Sequence, residues 1–157
     1  MRLPQLRGRE DGQGLVEVAL VLPLFIAMLF GIIDIGRVVW ANDALANAAR
    51  EGARYASVHA GTPELTVKAS KDEIKARALG FVVAAGTGAT ATVCFSAVNV
   101  ATQAASCSGD TNQTGAGYGK GNLVTVEVTS HVPVLTGAVF GFSEVTVTGK
   151  STVLINN

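Results

Sequence analysis

Charged residues are scarce: Asp, Glu, Lys and Arg make up 15% of the 157 residues, 12 of each sign, and cancel to a formal net charge of zero. A soluble globular chain usually carries about 25%. Neutrality and a pI near 6.7 argue against a nucleic-acid partner, which would need a basic patch. Metal ligands are scarcer still. Two cysteines, Cys94 and Cys107, and two remote histidines, His59 and His131, do not supply the closed spacing of a zinc site. No Ser–His–acid set has a local signature. Gly149-Lys150-Ser151-Thr152 copies the end of a phosphate-binding loop. However, Glu144 stands where that motif needs its first Gly, and a strand pattern follows where a helix should. The run from Gly115 to Gly121 has flexible-loop composition; it neither follows a strand directly nor opens a helix. No catalytic residue, cofactor or metal is expected, and the chain does not read as an enzyme.

What the sequence does have is clustered hydrophobicity. Mean hydropathy is +0.38, and the cluster responsible runs from Leu15 to Ile33, with one charge, Glu17, and one proline, Pro23. As a helix this run is about 28 Å long, close to the roughly 30 Å of bilayer hydrocarbon. Asp34 and Arg37 end it, and Trp40 stands where an interfacial aromatic belongs. A cleaved secretory signal fits less well, because its apolar region should span about 7–15 residues and end at a small-residue site. Arg2, Arg7 and Arg9 precede the span, against Arg37 just beyond it. The positive-inside rule then keeps the N-terminus cytoplasmic and places residues after about 40 outside the cytoplasmic membrane.

The helical pattern continues past the membrane. Residues 40–60 contain no proline and one glycine, and alanine, the best helix former, recurs throughout. A continuous helix from Leu15 to Val58 would be about 65 Å long, a rod that projects a small domain away from the bilayer. Ala44, Ala48, Gly52 and Ala56 share one stripe at spacing four. Two readings stay open: the stripe packs against the chain's own domain, or it lets neighbouring helices approach closely in an assembly.

Gly12-Gln13-Gly14-Leu15-Val16-Glu17 resembles the processing site of type IV prepilins and pseudopilins, where a membrane aspartic peptidase cuts after the Gly. The cut would leave Gln13 as the new N-terminus and Glu17 as its fifth residue. A carboxylate in a spanning helix costs about 2.5–3.5 kcal/mol at the bilayer centre, and less near an interface. An α-amino group from an adjacent subunit would offset that cost, whereas a Glu17 within one turn of the interface could snorkel instead.

Residues 12–56 as a whole resemble the TadE-like family of tight-adherence (Flp) pilus assembly. The G-Q-x-L-V-E opening is present from Gly12 to Glu17, and the V-L-P turn at Val21-Leu22-Pro23. The G-I-x-D/E-x-G-R exit runs from Gly31 to Arg37, and the N-A-A-R-E-G-A-R-Y block from Asn47 to Tyr55. Val18 departs from the pattern, since family members usually carry Phe or Tyr after the Glu. The resemblance implies a pseudopilin-like membrane protein with a structural role in pilus assembly or surface attachment. Implied partners are a prepilin peptidase, the inner-membrane platform, and companion pseudopilins or the major pilin, besides the lipid bilayer. The location implied is the bacterial cytoplasmic membrane, single-pass, in or at the base of a pilus.

The exported part reads as α+β. Gly61-Thr62-Pro63 breaks the long helix. A second helix is expected over 63–83, or from the capping-box-like Ser70-Lys71-Asp72-Glu73 onward, with Ile74, Ala78, Phe81 and Val82 on its buried face and Lys71, Lys75 and Arg77 wet. Period-two patterns at 89–98, 123–129 and 145–155 predict a three-stranded antiparallel sheet covered on one face by helix. Residues 99–122, rich in Gly, Ser, Thr and Asn, predict a long exposed loop. Cys94 falls on the Thr-bearing face of the first strand and Cys107 in that loop. Both lie on the oxidising side, so a disulfide is expected between them. The resulting organisation is a leader at 1–12, a transmembrane and extended pilin-like helix at 13–60, and a small extracytoplasmic domain at 61–157. A membrane-tethered extracytoplasmic binding module is the alternative in a different functional class.

Overall fold

The computed structural model describes residues 11–60, 67–82, 87–96, 120–137, 141 and 143–156. Helix α1 runs unbroken over Asp11–His59, 49 residues or about 74 Å. Pro23 lies inside it and, lacking an amide hydrogen, cannot make its own helical hydrogen bond. Helix α2 covers Val67–Gly80. Strands β1 (Thr87–Ser96), β2 (Leu123–Pro133) and β3 (Glu144–Leu154) form one antiparallel sheet in the order β1-β2-β3. The architecture is α+β, as the sequence predicts.

Two helices cover one face of this sheet. The distal half of α1 lies along β2 and β3, and α2 sits over β1. Alternation along β2 sends Val124, Val126, Val128 and Val132 inward, where they meet Phe95, Val93, Ile74, Leu45 and Ile155. Each fully buried large side chain is worth about 1.5–3 kcal/mol of transfer energy. From α1 and the residue after it the core receives mostly alanine: Ala41, Ala48, Ala49, Ala53, Ala56 and Ala60 are at most 1% exposed. Such small side chains bring the helix axis close to the strands. Residues 41–60 therefore share a single core with α2 and the sheet.

Close approach is most severe at two glycines. A Cβ on Gly52 would lie 2.9 Å from the Ala78 Cβ and 3.2 Å from Val126 Cγ1, which marks the crossing of α1 over α2. At Gly149 in β3 a Cβ would overlap the backbone of Leu45 and Ala46. The stripe of Ala44, Ala48, Gly52 and Ala56 is thus occupied within the chain: Ala48, Gly52 and Ala56 are buried and Ala44 is partly so. Of the two readings of that stripe, packing against the chain's own domain is the one observed.

Several local expectations need correcting. Helix α2 begins at Val67, so Ser70 lies inside it and not at its cap. Phe81 is 52% exposed, because the helix ends at Gly80 and Phe81 stands in the turn that follows, while Val82 packs against the core as expected. Lys71 is 5% exposed instead of wet, its ammonium lying 5.9 Å from the centre of the Phe95 ring. Strand β1 starts two residues earlier than its pattern, and β2 extends four residues further, to Pro133. Cys94 faces away from the helices, as alternation requires, yet it is 5% exposed and its ladder partner Thr125 is fully buried. Cys107 and most of the predicted 99–122 loop lie outside the described residues.

Candidate functional site

The first half of α1 makes no contribution to the core. Every large hydrophobic side chain from Leu15 to Ile35 is at least 41% exposed. The most apolar 18-residue window of the helix has a mean hydropathy of 2.6 and is only 6% buried, which sets it apart from a core helix. An apolar surface of this extent is not left to water by soluble proteins; length and composition suit it to cross a bilayer.

Gly12, Gln13 and Glu17 all lie in the first two turns of α1 and are exposed. Among the described residues, nothing stands within 4 Å of where a Gly12 side chain would begin. Glu17 shares a shallow surface groove with Val18, Val21, Leu22 and Phe25. Among the described residues, no side chain pairs with it.

At the exit of the span the structure makes a junction that sequence reasoning missed. Asp34 is 5% exposed and receives three hydrogen bonds from the connection between β2 and β3. The Leu135 amide donates to Oδ1 at 2.9 Å, the Thr136 amide to Oδ2 at 2.8 Å, and the Thr136 hydroxyl to Oδ2 at 2.7 Å. These donors hold the carboxyl below its ordinary value. The Thr136 amide contributes most, then the Leu135 amide and the Thr136 hydroxyl, while burial opposes them and Arg37 adds a smaller attraction. The two sides of this junction are more than 100 residues apart in sequence. An acid in a G-I-x-D-x-G-R exit carries no local sign of which loop will cap it.

The Asn47–Tyr55 block is built for docking α2. Its small members Ala48, Ala49, Gly52 and Ala53 face inward. Its polar members pair along the outer surface: Arg50 donates to Asn47 at 3.0 Å, and Arg54 forms a fork on Glu51 at 2.9 and 3.0 Å. Tyr55 Oη donates to Glu73 Oε1 of α2 at 2.5 Å, and the Arg77 guanidinium lies 5.8 Å from the Tyr55 ring. At the helix end, His59 stacks on Tyr55 with ring centres 4.1 Å apart, and its Nδ1 donates to the Tyr55 carbonyl at 3.0 Å. His59 thus stands in the last turn of α1, at the negative end of the helix dipole.

No group of three or more metal-ligating side chains occurs among the described residues. Gly149 to Thr152 is strand, paired with Val128 to Thr125, and not a phosphate-cradling loop.

Compared with protein families, residues 12–54 match the family model described as TadE-like protein. The match takes in the opening, the turn in the span, the exit with Asp34, and the Asn47 block up to Arg54. No curated protein and no solved structure matches the chain.

Proposed function

We propose that this chain is a pseudopilin-like protein of the cytoplasmic membrane that acts structurally in tight-adherence pilus assembly. The observation that carries the proposal is the TadE-like match over residues 12–54, which falls on a helix whose first half is bare, apolar and long enough to span a bilayer. A role in assembly of this pilus is what the family implies. The helix supplies the mechanism: its membrane half packs laterally on partner subunits, and its distal half holds the sheet outside in one rigid body. The chain crosses once, with the N-terminus in the cytoplasm. Its partners are a prepilin peptidase acting between Gly12 and Gln13, the inner-membrane platform, and companion pseudopilins or the major pilin.

Glu17 serves assembly by pairing with a neighbour's new α-amino group. The test is co-purification from cross-linked membranes. Glu17→Ala should still insert, more easily by about 2 kcal/mol at most given its depth near the interface. It should lose the complex that wild type retains. Undiminished co-purification of Glu17→Ala would leave only a snorkelling carboxylate. In the same preparations intact mass should begin at Gln13, and Gly12→Ala should accumulate the unprocessed chain; a wild-type mass beginning at Met1 with the peptidase present would refute cleavage.

A Cys94–Cys107 disulfide staples the exported domain. Closing a loop of this size is worth about 3 kcal/mol in chain entropy, which is large for a core of three strands and two helices. Non-reducing mass spectrometry should find one cross-linked peptide and a loss of two hydrogens. Two freely alkylated cysteines in protein taken from the envelope would overturn both the bridge and the topology that permits it.

A further inference from the structure

The β2–β3 connection shares one apolar groove with the membrane half of α1. Leu22, Pro23, Ile26, Ala27 and Phe30 line it from the helix, and Leu135 and Thr136 from the connection. Phe30 lies about 6 Å and Ile26 about 12 Å along the helix axis below Asp34, at 1.5 Å per residue. Leu135, fixed at the Asp34 level through its amide, therefore overlies side chains that belong to the span, and it is itself 54% exposed.

The strand geometry gives the same height independently. Gly149 lies against Leu45, and Asn156 donates to the Ser57 carbonyl at 3.1 Å, so β3 climbs alongside α1 away from the membrane. Counting down five residues from Gly149 to Glu144 at about 3.3 Å each gives about 16 Å. The same distance down α1 from Leu45 is about eleven residues, which arrives at Asp34. The Pro133–Glu144 pair closes the ladder there, and Val134 donates to the Ser143 carbonyl just past it. From Val132 to Ser143 the sequence, VPVLTGAVFGFS, contains no charged residue, while the His131–Glu144 pair (3.6 Å) stands immediately above. An uncharged apolar sequence bordered by a charged pair has the composition of a surface-inserting element.

We propose that the β2–β3 tip, centred on Leu135, is a second membrane contact that inserts into the outer leaflet beside the span. This rests on the span assignment, because the same groove in water would simply be open. The groove, about 450 Å³, then takes acyl chain. Amphipathic helices lying in a membrane surface bury their apolar face by about 5–10 Å, a depth that the Phe30-to-Ile26 interval would match. The sheet consequently stands on the bilayer, instead of riding a free stalk, and rotation of α1 about its own axis is fixed. At about 100° per residue, Glu17 lies roughly 150° around the helix from the groove's centre. The inserted tip leaves the Glu17 face open to lateral neighbours.

Tryptophan quenching in proteoliposomes of phosphatidylcholine brominated on its acyl chains tests this with the full chain. In a Trp40→Phe background, Leu135→Trp should be quenched about twofold or more and emit to the blue, as expected for insertion to this depth. Phe25→Trp should be quenched also, while Thr148→Trp, exposed higher on β3, should not. Leu135→Trp left unquenched beside a quenched Phe25→Trp overturns the proposal and spares the span. An unquenched Phe25→Trp overturns the span and the proposal with it. Quenching of Thr148→Trp equal to that of Leu135→Trp would mean a sheet lying flat on the lipid, and would overturn insertion by the tip alone. Pro133→Trp, exposed at the last ladder pair, gives the same readout if Leu135→Trp does not fold.

Discussion

Gly149→Ala is expected to destabilise the folded unit by about 3 kcal/mol, the upper end of overpacking effects, or to prevent folding altogether. The added methyl would overlap the carbonyl of Leu45 and the nitrogen of Ala46. Those atoms are backbone of a continuous helix, so no rotamer change relieves the clash. Moving the strand is equally hindered, because Gly149 pairs with Val128 in the middle of the β2–β3 ladder. Gly52→Ala provides a calibrated comparison. Its methyl would meet the side chains of Ala78 and Val126, and α2 can shift, so a smaller loss of about 1–2 kcal/mol is expected. Thermal or urea unfolding of the detergent-solubilised chain reads both. Equal stability of Gly149→Ala and wild type would mean that β3 does not approach α1 as described.

Asp34→Ala should release the β2–β3 tip from the helix while leaving the sheet paired. The substitution removes the acceptor of three hydrogen bonds at once. The amides of Leu135 and Thr136 should then exchange with solvent on the order of tenfold to a hundredfold faster. Amides in the β2–β3 ladder should keep their protection. Thr136→Val, which removes one of the three, should have the smaller effect. The pH dependence follows from the lowered carboxyl value. Such a group stabilises the docked form fully above its ordinary carboxylate range and loses that contribution only as pH falls through the depressed value. Docking should therefore hold through neutral and mildly acidic conditions and fail in strong acid. Protection of Leu135 and Thr136 unchanged in Asp34→Ala would show that the tip is held by something other than this carboxylate.

The sequence disclosed those parts of the fold that repeat at short range. The apolar run and the alanine-rich continuation specify α1, since each residue's preference is shared by its neighbours. Period-two valines specify the strands, and Val124, Val126 and Val128 are all buried as their alternation demands. What stayed hidden depends on partners distant in sequence. Nothing local to Lys71 announces Phe95 beneath its ammonium, and nothing local to Gly149 announces the Leu45 backbone. Phe81 carries the period of a buried helical face, but α2 stops one residue before it. In the site, Gly12, Gln13 and Glu17 were legible because the motif is contiguous. Asp34 was legible only as the end of an apolar run, since its donors arrive from the far end of the chain. The alanine stripe was ambiguous for a physical reason: small residues permit close approach without specifying whether the approaching backbone is the chain's own.

In the proposed function the chain builds a pilus through its membrane helix, and not merely by tethering a domain outside. The most direct measurement is the amount of pilin sheared from the surface of cells that lack this chain, with and without complementation. Wild type should restore it. A chain whose residues 15–33 are replaced by an unrelated spanning segment, with Asp34 and everything beyond retained, should not. Full restoration by that exchanged span, or normal pilin in cells without the chain, would contradict the account; restoration by the exchange would identify the exported domain as a tethered binding module.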